Sequence, residues 1–459
     1  MGGEAIGLLG LLALFLLLAL RFPVGLAMLL VGIGGNYVLS LALPYLRFEP
    51  YLHQFKSLLW NSVANYDLSV VPLFILMGYL AANLSRDLFQ GVNAFSGRFR
   101  GGVAMSAIGA CAGFGAVCGS SLATASTMGK VALPELRRLH YDPGFATGVL
   151  AAGGTLGILI PPSVALVIYA IIVEASILEM FQAAILPGLI AVLFFILTIF
   201  ILVRIRPSLA PQAMPMNNEE RRHAIRRLVP VVVIFGAIIL GLGFGLFTPT
   251  PAAAIGVFLI LAYGLYLRRH GEGLTLASIR DSLLSTAVTS GMIYFILFGA
   301  EVLKGFFTRA GLPEALAGWA SASALDPVMI VLVMLVALII LGCFMDSLSM
   351  ILVVVPFLWP VLVEINGGDY ATAVSAAFGM GTDELKIWFG ILALVVIELG
   401  LITPPVGLNV FIINALAEDV RMTETFKGVM PFFGVELIRI GLILFIPGIA
   451  LLLPRLLAG

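Results

Sequence analysis

Two long apolar segments of this chain are each interrupted by a related phrase, Gly157-Ile158-Leu159-Ile160-Pro161-Pro162-Ser163 and Gly400-Leu401-Ile402-Thr403-Pro404-Pro405-Val406. A proline ring removes a backbone donor and pushes the residue before it out of the α region, so a proline pair stops a helix. Within lipid, the carbonyls and amides freed by such a stop survive only where protein or a water-filled cavity surrounds them. Two breaks of this kind demand a fold built around them.

That the surroundings are lipid follows from composition. Of 459 residues, 61% are apolar and 11% charged, against about half and about a quarter in soluble domains. The formal net charge is zero and no basic stripe interleaves with aromatics, which excludes nucleic acid as a partner. Cys111, Cys118 and Cys343 lie in apolar stretches without CxxC or Cys/His spacing, and His53, His140, His223 and His270 fall in or beside polar loops. Neither a disulfide framework nor a zinc site is expected. After Met1-Gly2-Gly3-Glu4 the chain runs apolar to Leu20 without a positive leader or cleavage pattern, and Ile6 breaks the myristoylation motif. The N-terminus reads as a retained first span.

Apolar runs of spanning length, or close to it, occur at residues 6–20, 24–43, 68–84, 143–173, 184–203, 229–247, 252–267, 283–303, 385–417 and 430–453. Two further stretches, 103–136 and 327–362, are too long for one helix and carry a small polar cluster at mid-length. They read as re-entrant hairpins with tips at Gly119-Ser120-Ser121 and Asp346-Ser347. A shift of 226 places Pro23 on Pro249, Ser120-Ser121 on Asp346-Ser347 and Pro134 on Pro360; after about 17 extra residues, a shift of 243 superposes the two proline pairs. The expected fold is therefore an all-α integral membrane protein of two repeats, residues 1–203 and 229–459. Each holds five spans plus a hairpin (103–136, 327–362) and includes one broken helix (143–173, 385–417). Five crossings is an odd number, so the second repeat is expected to be inverted.

Residues 204–228, with Pro207, Pro211, Pro215 and Asn217-Asn218, form a basic linker. If it is cytoplasmic, 17 of the 25 lysines and arginines fall on the cytoplasmic side and six on the other, as the positive-inside rule requires. A solvated connector is the plain reading of the linker, and contact with lipid headgroups is the alternative.

Dehydrating a sodium ion requires several oxygen ligands, and unwound backbone supplies them because its carbonyls are released from helix bonding. Ser120 and Ser121 with the 154–160 break, including Thr155 and Gly157, make one candidate cation site. Asp346 and Ser347 with Gly400 to Thr403 make its counterpart, and only this one contains a carboxylate. Asp346 reads either as an ion ligand or as a helix cap at the hairpin tip. Each helix that restarts after a break turns a dipole end favourable to an anion inward. A carboxylate substrate is accordingly expected between Ser163, Asn409 and the tips, with Thr124 beside the first. Glu398 reads equally as a proton-linked acid or as a buried glutamate held by backbone donors. Lys130 and Arg439 are expected to snorkel or to pair with Glu135 and Glu436. Gly129-Lys130 lacks the spacing of a phosphate-binding loop, and the spans contain no His/Asp dyad or metal cluster, so an enzyme is not expected and transport would run on an ion gradient.

The stretches Pro72 to Gly78, Gly115 to Thr124, Gly157 to Ser163 and Thr403-Pro404-Pro405-Val406-Gly407-Leu408-Asn409 resemble the large membrane subunit of tripartite ATP-independent periplasmic (TRAP) transporters over nearly the whole chain. The resemblance implies import of an organic acid, such as a dicarboxylate or a sialic acid, across a bacterial or archaeal inner membrane, coupled to two or more sodium ions. It also implies an elevator movement, a periplasmic substrate-binding protein, and a small four-helix membrane subunit, expected as a separate chain because this one opens on its first repeat. A stand-alone sodium- or proton-coupled anion carrier without a binding protein is the alternative.

Overall fold

The computed structural model describes residues 2–457 apart from 21, 44, 65, 83–84, 212–216, 270–272 and 324; residues 56, 59 and 61–63 are described by their backbone alone. Arg21 of the basic count, Pro215 of the linker and His270 thus lie outside the described residues, as does the Lys56 side chain.

The described chain is helical throughout, without a strand. The first half contains α1 (Gly3–Ala19), α2 (Val24–Ala42), α3 (Phe48–Val63), α4 (Val70–Ala81), α5 (Ser85–Ser96), α6 (Gly102–Cys118), α7 (Ser121–Arg138), α8 (Pro143–Leu159), α9 (Val164–Ile172) and α10 (Ile177–Ile205). The second contains α11 (Asn218–Gly243), α12 (Pro249–Arg268), α13 (Leu276–Ala310), α14 (Leu312–Ala322), α15 (Pro327–Gly342), α16 (Ser347–Asn366), α17 (Thr382–Gly400), α18 (Leu408–Leu416), α19 (Met422–Phe445) and α20 (Gly448–Leu457). Seven of these helices are long and apolar enough to cross a membrane, or up to nine elements if each of two bent pairs is one span. α1, α6, α15 and α20 are apolar but shorter, at 10–17 residues. The chain is an integral membrane protein.

Element order repeats along the sequence. Ser121 and Ser347, 226 residues apart, are the first residues of α7 and α16; Leu159 and Gly400 end α8 and α17 just before the proline pairs. The repeat is looser elsewhere: α13 runs unbroken for 35 residues where the first half has α3, a short turn at Tyr66–Ser69, and α4. Between α7 and α8 the chain needs only residues 139–142, whereas 367–381 join α16 to α17. That connection holds most of the extra residues of the second half.

Local chemistry explains several helix starts. The Asp142 carboxylate accepts the Phe145 amide at 2.8 Å while Pro143 takes the first helical position, where a missing donor costs nothing. Asn217 and Glu220 form a capping box that begins α11 and ends the linker. Earlier in the linker, Arg100 donates to the carbonyls of Pro207 (2.6 Å) and Ala210 (3.2 Å), so its first turn is fastened to the protein.

The chain divides into two compact units that do not follow the two halves. Unit 1 comprises Met1–Ser69, Ala287–Val336 and Leu348–Lys386; α2 packs there on α13, and Arg309 joins Asn36 (2.9 Å) to the Arg47 carbonyl (3.0 Å) over the Tyr51 ring. Unit 2 comprises Val70–Thr286, Ala337–Ser347 and Ile387–Gly459. At its centre lies α8, packed against α6, α7 and α19 and buried from Phe145 to Leu159. The small residues of α8, such as Ala151, Ala152 and Gly153, let neighbouring backbones come close, the usual way to bind helices where apolar burial gives no preference over lipid.

Candidate functional site

Both hairpin tips and both breaks belong to unit 2. The first break separates α8 from α9, which meet at an angle of 47°. Ile160 to Ser163 are non-helical, and the Ser163 hydroxyl restarts the chain as a helix by accepting the Leu166 amide at 3.5 Å. The second break has no side-chain cap: residues 401–407 turn, and the Asn409 amide reaches back to the Leu401 carbonyl at 3.0 Å. Pro161-Pro162 and Pro404-Pro405 are both cis.

Each tip rests on the break of its own half. Gly119 backs onto Ser163, where a Cβ would come within 3.2 Å of the Ser163 Cα. Gly157 lies still closer: a Cβ there would meet Thr124 Oγ1 at 2.5 Å and the Ser120 carbonyl oxygen at 2.7 Å. In the second half, a Cβ on Gly400 would come within 2.7 Å of the Gly342 backbone, and the Cys343 thiol donates to the Pro404 carbonyl at 3.4 Å. At both places the glycine is required because the opposing atoms are backbone or the Cβ-proximal part of a short side chain, which cannot swing aside.

The candidate residues fall into distinct situations. Ser120 caps α7, accepting the Ala123 amide at 3.4 Å, and is part-exposed, while Ser121 and Thr124 are buried. Thr155 is buried and donates to the Ala152 carbonyl at 2.7 Å, a bond within its own helix; Thr403 does the same to Leu399 at 2.6 Å. Such hydroxyls keep their lone pairs free to accept. Asp346 is half-buried, and Ser347, buried, donates to Glu398 Oε1 at 2.7 Å. Asn409 reaches across to the first half, its Nδ2 donating to the Ala151 carbonyl at 3.5 Å. Three buried acceptors at the tips and breaks have no partner: Thr124 Oγ1, Asn409 Oδ1 and Glu398 Oε2. Unpaired acceptors at this depth cost about 1–3 kcal/mol each, so their concentration here makes this the candidate site. The structure thus brings Ser120, Thr124 and Gly157 together at one tip and Ser347 and Gly400 at the other, with Asn409 linking α18 to α8.

Glu398, read from the sequence as a proton-linked acid or as a buried glutamate held by backbone donors, lies beside the second tip. Glu398 is 1% exposed and receives the Ser347 hydroxyl rather than backbone donors. Its signal was present as the lone acid in the apolar run that precedes the second break. Of the two readings for Lys130, pairing with Glu135 is not what the structure holds, since Glu135 takes Arg138, three residues along its own helix, at 2.6 Å; Lys130 is exposed, in keeping with the snorkelling alternative. Arg439 does pair with Glu436, donating from Nε at 2.9 Å and to the Pro187 carbonyl at 3.2 Å, entirely buried.

Comparison with known proteins agrees with this architecture. Residues 11–449 match the family described as "Tripartite ATP-independent periplasmic transporter, DctM component". The chain is 32% identical to the C4-dicarboxylate TRAP transporter large permease protein DctM of Pseudomonas aeruginosa, over 91% of this chain and 93% of that one. It is 29% identical to the sialic acid TRAP transporter large permease protein SiaM of Vibrio cholerae, over 87% and 88%. Among solved structures, the YdaH transporter of Alcanivorax borkumensis shares the fold with a TM-score of 0.58 at 15% identity, covering 86% of this chain and 88% of that one. The chain therefore belongs to the DctM family of tripartite ATP-independent periplasmic transporters, as a large permease component whose place is the inner membrane and whose work is transport rather than catalysis.

Proposed function

We propose that this permease imports an organic acid on a sodium gradient. The observation that carries the reading is the seating of each hairpin tip on a broken helix, with unpartnered acceptor oxygens of Thr124, Asn409 and Glu398 buried around the contact. Carbonyls released at the breaks and the serines of the tips are the hard oxygen donors a sodium ion takes, and helix N-termini after the breaks suit a carboxylate. In this reading Ser120, Ser121, Thr155 and Gly157 hold one ion, Asp346, Ser347, Gly400 and Thr403 another, and Ser163, Asn409, Thr124 and Ser120 meet the substrate. Relatives named for C4-dicarboxylates and for sialic acid share carboxylate cargo, which is the substrate class proposed here.

The two repeats are read as inverted about the membrane, with the 204–228 linker cytoplasmic. The hairpins and broken helices move as one body in an elevator stroke. A small four-helix membrane subunit completes the scaffold, and a periplasmic substrate-binding protein delivers the acid.

Reconstitution tests the reading. Proteoliposomes holding the permease and small subunit are given labelled succinate or sialic acid, with and without binding protein, under an inward sodium gradient. Uptake requiring both the gradient and the binding protein is expected, and Asp346→Ala and Ser120→Ala each weaken its sodium dependence while the chain still inserts. Uptake by the permease alone would overturn the tripartite reading; uptake undiminished in potassium would overturn the sodium reading.

A further inference from the structure

Ser121 and Ser347 occupy the same position in the two halves, 226 residues apart, and both are buried, at 1% and 3% exposure. Both lie beside one carboxyl group. The Ser347 hydroxyl donates to Glu398 Oε1 at 2.7 Å, and the Ser121 side chain lies next to the same carboxyl without completing a hydrogen bond to it. Glu398 also has a counterpart in the first half: the 243-residue shift that superposes the proline pairs places it on Thr155. Thr155 is too short to bridge and spends its hydroxyl on Ala152 within its own helix. Two equivalent serines therefore converge on a group that only one half supplies.

The position of Glu398 along α17 adds a second constraint. Two residues later, Gly400 is in backbone contact with Gly342 at the end of α15, so the end of α17 is fastened to the second hairpin. From that anchor the Glu398 side chain reaches the first residue of α7, at the tip of the first hairpin. Burying a carboxyl without backbone donors, with Oε2 unpartnered, is costly. The charged groups nearest to it, Glu436 and Arg439 of α19, already pair with each other. A threonine, as in the first half, would remove that cost. The bridge itself is the feature that the costlier residue provides.

We propose that Glu398 is a positioning residue that joins the two hairpin tips, so that ordering one tip orders the other. The proposal rests on the reading of the tips as cation sites. A cation at either tip takes the serine oxygen's lone pairs and leaves its hydrogen directed at the carboxyl, which fixes Glu398 and with it the serine of the opposite tip. The second cation then meets a site whose ordering entropy has already been lost, which produces positive cooperativity between the sites.

The experiment compares wild type, Glu398→Ala and Glu398→Gln in the reconstituted system. Glutamine keeps the length and an acceptor for Ser347 but has no charge; alanine keeps neither. The Hill coefficient for sodium is expected to exceed 1 in wild type and in Glu398→Gln and to fall to about 1 in Glu398→Ala. A second readout needs no transport. Cys118 at the first tip is part-exposed, and its alkylation by N-ethylmaleimide, followed by mass spectrometry, reports the order of that tip. Ser347→Ala, at the other tip, is expected to raise the labelling rate about threefold or more, but to change it less than about 1.5-fold when Glu398 is already alanine. A Glu398→Ala protein that remains cooperative, a Glu398→Gln protein that behaves as alanine, or a Ser347→Ala effect on Cys118 that survives in Glu398→Ala each overturns the proposal. Sodium-independent uptake by wild type would instead overturn the cation reading, leaving the labelling result to decide whether the tips are joined.

Discussion

The two breaks begin from the same proline pair and end in different chemistry. At the first, Pro161 and Pro162 are buried and a serine caps the next helix; at the second, Pro404 and Pro405 are exposed and the turn closes through backbone alone, with Gly407 at φ 58°. Buried charge follows the same division. Glu398, Glu436 and Arg439 are buried in the second half, and their counterparts under the 243-residue shift are Thr155, Leu193 and Ile196. What the halves share is thus a backbone device, a stopped helix with a glycine close to a hairpin. The polar side chains that tune it are each half's own.

If the shared device is essential, breaking it in either half is the most damaging change. Gly157→Leu and Gly400→Leu are each expected to lower uptake by about 100-fold or more, because a displacement near 1 Å at a working site has effects of that size; uptake at normal surface levels checks this. A tenfold difference between them would show that the breaks are not equivalent.

The charged pair tests the difference between the halves. Arg439→Ala should destabilise the protein by about 3–5 kcal/mol, since it leaves Glu436 buried and uncompensated. Replacing both with the first half's residues, Glu436→Leu with Arg439→Ile, should cost clearly less than the single change, measured by thermal unfolding in detergent. A double variant as unstable as the single one would mean that the pair contributes more than mutual neutralisation.

The caps come next. Ser163→Ala removes the hydroxyl that starts α9, and about 1 kcal/mol of stability with it. Gly407→Ala forces a side chain into the left-handed region at about 1–2 kcal/mol. The two should be similar in melting temperature although one acts through a side chain and the other through the backbone. Smallest of all is Thr155→Val, expected to change stability by less than about 1 kcal/mol because the hydroxyl bonds only within its helix. A loss of sodium affinity without loss of stability would support the proposed part of Thr155 in holding an ion.

The stops and turns were legible in the sequence because their causes are local: a proline ring acts on its own residue and the one before it. The 226- and 243-residue shifts likewise located the starts of α7 and α16 and the two proline-pair breaks, since element order is written along the chain. Pairings between distant segments were not legible. That Ser347 bonds Glu398, or that Asn409 reaches Ala151 from 258 residues away, depends on how helices pack, and many partners satisfy the same local pattern. The unbroken α13 and the mixed composition of the two units were hidden for the same reason.

That interleaving also sets an order of assembly. Unit 2 takes residues from three separated stretches, and the helix at its centre, α8, meets α18 and α19 only after residues beyond 400 have been synthesised. Until then the small-residue faces of α8 and the Ala151 carbonyl have no partner from the second half, and α6 to α9 wait in the bilayer as a hairpin and a bent helix. Contacts of such sequence separation form late and slowly. A chain stopped before α18 is thus expected to insert its first half without completing the body that surrounds the breaks, so that the segment from α18 onward decides when this permease becomes a folded protein.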